Sequence, residues 1–138
     1  MAEKLDFDLD AEGIVIVDCG GKTGIMLVAR VCRALKIPFV VLHDEDVWPT
    51  ENLDREKMKK QEDENKNEIE KNRKLKEAVG DNNPLFILKP SLESQLGIGR
   101  DAQDKPRKIA EKLEKIDLSK NNGLEPLLKA VKAIWGID

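Results

Sequence analysis

The chain has 138 residues, about one ordinary domain, of which 40% are hydrophobic and 37% charged, with a formal net charge of −3. That apolar content excludes a disordered chain, and the slightly acidic balance excludes a strongly basic nucleic-acid coat, though not a local site. No apolar run approaches a membrane span, the acidic start MAEKLDFDLD is no signal peptide, and Cys19 and Cys32 make neither a disulfide framework nor a zinc knuckle. The default compartment is the cytoplasm.

Gly13 to Val17 reads GIVIV, a continuous β-branched run that predicts a strand buried on both faces, as in a parallel sheet. It ends at Asp18, and the glycines of the following CGGKTG mark a tight turn. Ile25, Val28, Val31, Cys32 and Leu35 then recur at helical spacing. Phe39 to Leu42 (FVVL) predicts a second buried strand, ending at His43-Asp44-Glu45-Asp46. Strand, helix and strand make a βαβ unit, for which a right-handed crossover is expected.

Trp48-Pro49-Thr50 breaks the pattern. Glu51 to Val79 then holds nine acids, nine bases and few large apolar residues. Glu51–Arg55, Glu56–Lys60, Glu62–Lys66 and Glu70–Lys74 stand at i, i+4, a spacing that supports a helix by a few tenths of a kcal/mol per pair. One or two long, largely solvated helices are expected. The a/d repeat of a coiled coil is missing; a partner-docking arm is the sharper alternative to a solvated insertion.

Gly80 to Pro84 is turn chemistry, and Leu85 to Leu88 (LFIL) predicts a third buried strand, ending at Lys89-Pro90-Ser91-Leu92-Glu93. After a Gly-rich loop, Pro106 suits the first turn of a helix that runs to about Ile116. Beyond the Asn121-Asn122-Gly123 turn, Leu124, Leu127, Leu128, Val131, Ile134 and Trp135 make an amphipathic last helix over about 123–135. The expectation is one α/β domain over 1–138, with its core at about 13–118 and a charged helical insertion at about 50–79. It is a small, mostly parallel sheet flanked by helices.

Acids then stand at the ends of all three expected strands: Asp18, Asp44 with Asp46, and Glu93. Open α/β sheets place their sites at the C-terminal ends of strands. Clustered carboxylates repel, a divalent cation relieves the repulsion, and hard oxygen ligands select Mg²⁺ or Mn²⁺. Such sites serve phosphoryl chemistry. A solvated loop is the bland reading of a lone DxD.

Three motifs, VLHDED (Val41 to Asp46), LKPSLESQLG (Leu88 to Gly97) and DKPRKIAEKL (Asp104 to Leu113), follow IVIVD and ALKIP in this order. With that layout the chain resembles TOPRIM domains, and most closely those of the overcoming-lysogenization-defect (OLD) family nucleases, over roughly Gly13 to Leu118. The resemblance implies a TOPRIM-like fold. It implies Asp44 and Asp46 as DxD metal ligands, Ser91 and Glu93 as the small-x-acid motif near a second metal, and Lys105 as a cation at the scissile phosphate. Asp18 takes the place of the family's first acid, usually Glu; the second acid of that motif is absent. The activity implied is two-metal, Mg²⁺- or Mn²⁺-dependent cleavage of DNA. The alternatives are a degenerate module that binds a partner or nucleic acid without cutting, and a primase-like or RNA-cleaving enzyme. Family proteins usually carry an ATPase domain ahead of TOPRIM, which these residues do not contain. By analogy, two DNA strands ask for two copies of the chain.

Other features carry less. Gly20-Gly21-Lys22-Thr23 ends like a P-loop, but the required upstream glycine is Ile16; a phosphate contact through Lys22 stays open beside a plain turn. His43 reads as a hydrogen-bonded strand-end histidine, Cys32 as core, and Trp48 and Trp135 as packing residues. Arg100, Lys105, Arg107 and Lys108 form a basic patch that is either a solvated helix start or a phosphate-facing surface.

Overall fold

A computed structural model describes residues 8–117, 120 and 122–136 of the chain. Residues 1–7, Leu118 at the expected end of the core, and Asn121 in the last turn lie outside the described residues. The elements are helix α1 (Lys22–Leu35), strand β1 (Val41–Asp44), helix α2 (Arg55–Val79), strand β2 (Leu85–Leu88), a short helix α3 (Leu92–Gln95), helix α4 (Lys105–Lys115) and helix α5 (Glu125–Trp135).

The sheet is two parallel strands in the register Val41↔Leu85, Leu42↔Phe86, His43↔Ile87 and Asp44↔Leu88. Alternation along each strand sends side chains to opposite faces, and both faces are covered. Ala29, Val41, Leu75 and Val79 form one core with Ile25, Met26, Phe39 and Leu85, beneath α1 and α2. Leu88, Leu96, Ile98 and Leu124 form the other, with Leu42, Leu92, Ile109, Leu113 and Leu127. This is the layered burial that apolar parallel strands require.

The βαβ unit is formed by β1, α2 and β2, so the charged segment itself is the crossover. Asp54 caps α2, accepting the Lys57 N–H at 2.9 Å. At the other end Arg33 donates to the Ala78 carbonyl at 3.0 Å, a cation on a helix C-terminus. Of the four i, i+4 pairs named above, Glu70–Lys74 forms, at 3.9 Å; Lys60 turns forward to Glu64 and Lys66 back to Asp63.

Two sequence expectations are corrected. Residues 13–17 belong to no strand, and Val15, Ile16 and Val17 are 80%, 76% and 58% exposed. A strand needs a partner as well as β-branched residues, and among the described residues β1 is paired with β2 alone. The buried side of α1 also differs: Ile25, Met26 and Ala29 face the core, while Leu27, Val31 and Leu35 lie exposed. Among the described residues no helix is long and apolar enough to cross a membrane.

Leu75 is completely buried in the core that joins α1 to α2. Leu75→Ala is therefore expected to cost about 2–5 kcal/mol in urea unfolding. Leu27→Ala, on the open side of α1, should change stability by less than about 0.5 kcal/mol.

Candidate functional site

The backbone ladder does not stop where β1 ends. Glu45 N–H donates to the Leu88 carbonyl and Asp46 N–H to the Pro90 carbonyl, both at 2.8 Å. Asp46 itself adopts a left-handed backbone, φ +59°, a conformation that Asp and Asn tolerate better than other side chains. Beyond it, α2 takes over. Asn65 grips Trp48 by both backbone groups, accepting its N–H at 2.9 Å and donating to its carbonyl at 2.7 Å. Asn72 donates to the Glu45 carbonyl at 2.9 Å.

These contacts hold the β1 loop as one wall of a cavity of about 340 Å³, whose lining includes Asp44, Asp46, Ser91, Glu93 and Lys105. Five of the six residues singled out from the sequence as ligands or catalytic groups thus share one space. Asp18 does not line it. Its carboxylate is exposed and accepts the Gly20 N–H at 2.9 Å, bracing the turn before α1. That turn needs its glycines: Gly21 has φ +133°, and a Cβ on Gly24 would stand 1.9 Å from the Cys19 carbonyl oxygen.

Each candidate has a local partner or lacks one. Asp44 Oδ1 accepts the Leu92 N–H at 2.9 Å, while buried Ser91 caps α3, its hydroxyl accepting the Ser94 N–H at 3.2 Å. Lys105 opens α4 and, among the described residues, lies in no ion pair. Arg107, by contrast, is held by Asp104 at 2.9 Å and Glu111 at 3.6 Å. The basic patch therefore divides: Arg100 and Lys105 face the cavity, and Arg107 is neutralised on its own helix.

Sequence reasoning missed a further set. Gln61, Glu64 and Glu68 of α2 line the cavity, with Trp48 and Arg100. The Arg100 guanidinium lies 4.7 Å over the Trp48 ring and donates to Gln61 Oε1 at 3.2 Å. Gln61 in turn donates to Asn65 at 3.0 Å, closing a chain of contacts around the rim. Lys22 reaches in from α1, 3.0 Å from Asp46 and 2.7 Å from Glu68. The signal was present as Gln61, Glu64, Asn65, Glu68 and Asn72 at helical spacing, but a polar stripe on a polar helix has no contrast.

Burial pushes the Asp44 carboxyl up from 3.8 to about 6, reinforced by Asp46 and Glu93 and opposed by the Leu92 N–H and Lys22. Burial holds His43 below its ordinary value. Its Nδ1 lies 2.7 Å from the Asp44 carbonyl and so carries the proton, leaving buried Nε2 without a hydrogen-bond partner among the described residues. Five carboxylates, Asp44, Asp46, Glu64, Glu68 and Glu93, line the cavity without a thiol or imidazole. That is a hard-oxygen donor set, of the kind that suits a divalent cation. Among the described residues no three such groups already stand close enough to enclose an ion.

Residues 1–46 match the family described as Overcoming lysogenization defect protein-like, TOPRIM domain. Over 133 residues, 95% of its length, the chain is 50% identical to a protein of Thermus scotoductus named OLD nuclease. The chain spans 25% of that relative's length.

The raised Asp44 carboxyl sets a pH dependence. The folded protein binds this proton more tightly than the unfolded chain, so ionised Asp44 costs stability; the cost grows between about pH 4 and 6 and is constant above. Asp44→Asn keeps the acceptor for Leu92 N–H and removes the charge. In EDTA at pH 8 it should raise stability by about 1 kcal/mol after allowance for solvent screening, or roughly 3–5 °C in Tm. Below about pH 4 the gain should vanish, as a series of thermal melts will show.

Proposed function

Because this chain belongs to the OLD-like TOPRIM family, we propose that it provides the phosphodiester-cleaving centre of a Mg²⁺- or Mn²⁺-dependent DNA endonuclease. The observation that supports this reading is the shared cavity: Asp44, Asp46 and Glu93 beside Ser91 and Lys105, gathered from β1 and its loop, from α3 and its cap, and from α4.

Asp44, Asp46 and Glu93 would hold the cation, with Glu64 and Glu68 as further carboxylates for a second one. Bound there, divalent ions supply Lewis acidity to the phosphodiester and to the attacking water. The protein's own groups do the rest. Lys105, with no carboxylate partner among the described residues, offers its ammonium to phosphate oxygens as their charge grows. Arg100, steadied by Trp48 and Gln61, presents a planar fork at the same rim, suited to a neighbouring phosphate. Ser91 and the Leu92 N–H fix the strand-end geometry, the latter by its bond to Asp44. Asp18 has no part in this arrangement as it stands.

A second reading, a module that binds nucleic acid or a partner without cutting, draws on two observations: Asp18 lies off the cavity, and Lys22 already engages Asp46. One experiment separates the two. Supercoiled plasmid is incubated with the protein and Mg²⁺, Mn²⁺ or EDTA, beside the Asp44→Asn/Asp46→Asn double variant. Asparagine is the right replacement because position 46 is left-handed. Metal-dependent nicking that falls at least about 100-fold in the variant is the expected result. Well-folded protein that binds DNA but never nicks it selects the second reading.

A further inference from the structure

Lys22 meets three oxygens at once. Its ammonium lies 3.0 Å from Asp46 Oδ2, 2.7 Å from Glu68 Oε2 and 3.0 Å from the Glu45 carbonyl oxygen. Those contacts use all three of its donors. The side chain is 9% exposed.

Nothing local favours a cation at this position. Lys22 is the first residue of α1, where the helix dipole repels positive charge, and the first turn of α1 holds no acid to offset it. Burying a lysine also costs side-chain freedom and hydration. The compensation comes from residues distant in sequence, on the β1 loop and on α2. The glycines before it and Gly24 behind it fold the turn so that the side chain points there. The Gly-Gly-Lys-Thr-Gly sequence is thus a device for aiming one ammonium at the carboxylates beside the cavity.

Five carboxylates line the cavity against two lining cations, Arg100 and Lys105. Lys22 adds a third positive charge from behind. Asp46, a candidate metal ligand, spends Oδ2 on Lys22. An ammonium and a divalent cation both seek that carboxylate, and each weakens the other's hold by Coulomb repulsion.

We propose that Lys22 is a built-in counter-cation, which ties Asp46 to Glu68 in the cation-free protein and competes with Mg²⁺ or Mn²⁺ for Asp46. It is a positioning residue that tunes metal affinity; it touches no substrate. The proposal rests on the metal-site reading above and adds to it the group that sets how readily the site fills.

The test is made on the purified chain with the metals alone. Mn²⁺ binding is measured by titration calorimetry for wild type, Lys22→Met and Lys22→Arg. Competition predicts that Lys22→Met binds Mn²⁺ about tenfold more tightly or better, that its Tm in EDTA falls, and that Mn²⁺ restores it. Lys22→Arg keeps the charge and should retain near wild-type affinity. If Lys22 were only a structural tie, loss of the tie would leave Mn²⁺ affinity unchanged or weaker, which overturns the proposal.

Should Lys22→Met fail to fold, wild-type protein decides the matter by NMR with Mg²⁺. The Lys22 side-chain ammonium signal should shift, and its exchange with water should quicken, as the Asp44 and Asp46 carboxylate carbons shift. Carboxylate shifts with a static Lys22 signal overturn the counter-cation alone. No carboxylate shift at millimolar Mg²⁺ overturns the metal site and the counter-cation with it.

Discussion

A parallel strand that ends at a site leaves its next few backbone groups without a ladder, and buried backbone groups must find partners. Here that need is met by the end of β2 and by groups outside the sheet. The loop from Glu45 to Trp48 is satisfied by Pro90 on one side and by Asn65, Asn72 and Lys22 on the other. Remove these bonds and Asp46 has no fixed position, whatever the sheet does. The candidate site is therefore built as much by the crossover helix as by the strands.

The electrostatics follow from that construction. Packing the loop between α2 and the turn after β2 crowds several carboxylates into one space, and they are not equivalent. Asp44, half-buried and near Asp46 and Glu93, resists ionisation, whereas Glu68, on two lysines, is held below its ordinary range. An acid that is costly to ionise beside others already compensated makes a site that gains from a second positive charge. Lys105 and Arg100 share the cavity with these carboxylates, and in the proposed reading they would meet phosphate oxygens.

Much of this could be read from the residues, and the rest could not for definite reasons. FVVL and LFIL announced strands because buried parallel strands are apolar throughout, although β1 begins at Val41, two residues beyond the expected Phe39. The helical periodicity of residues 25–35 was visible, but not which side would be covered, since that depends on where α2 lies. GIVIV has the composition of a strand yet remains unpaired, because pairing belongs to the fold and not to the segment. Asp44, Asp46, Ser91, Glu93 and Lys105 were found through motifs whose spacing survives in one chain. Glu68 was not, and Lys22 reads in sequence as a turn residue or a phosphate contact, whereas it pairs with Asp46 and Glu68. Each looks ordinary in its own segment, a turn residue and one charge among many, and acquires meaning only when α1 and α2 cross.

The length of α2 has one more consequence. Its C-terminal end is set in apolar packing through Leu75, Ala78 and Val79, whereas its middle is attached by Asn65, Glu68 and Asn72 through polar bonds to the loop and to Lys22. A rod clamped at one end and tied at its middle does not open uniformly. Amide hydrogens near residue 75 should exchange only with global unfolding, and those between residues 61 and 72 by local detachment. The helix thus works as a gauge: whatever occupies the cavity slows exchange along its middle and leaves the anchored end unchanged.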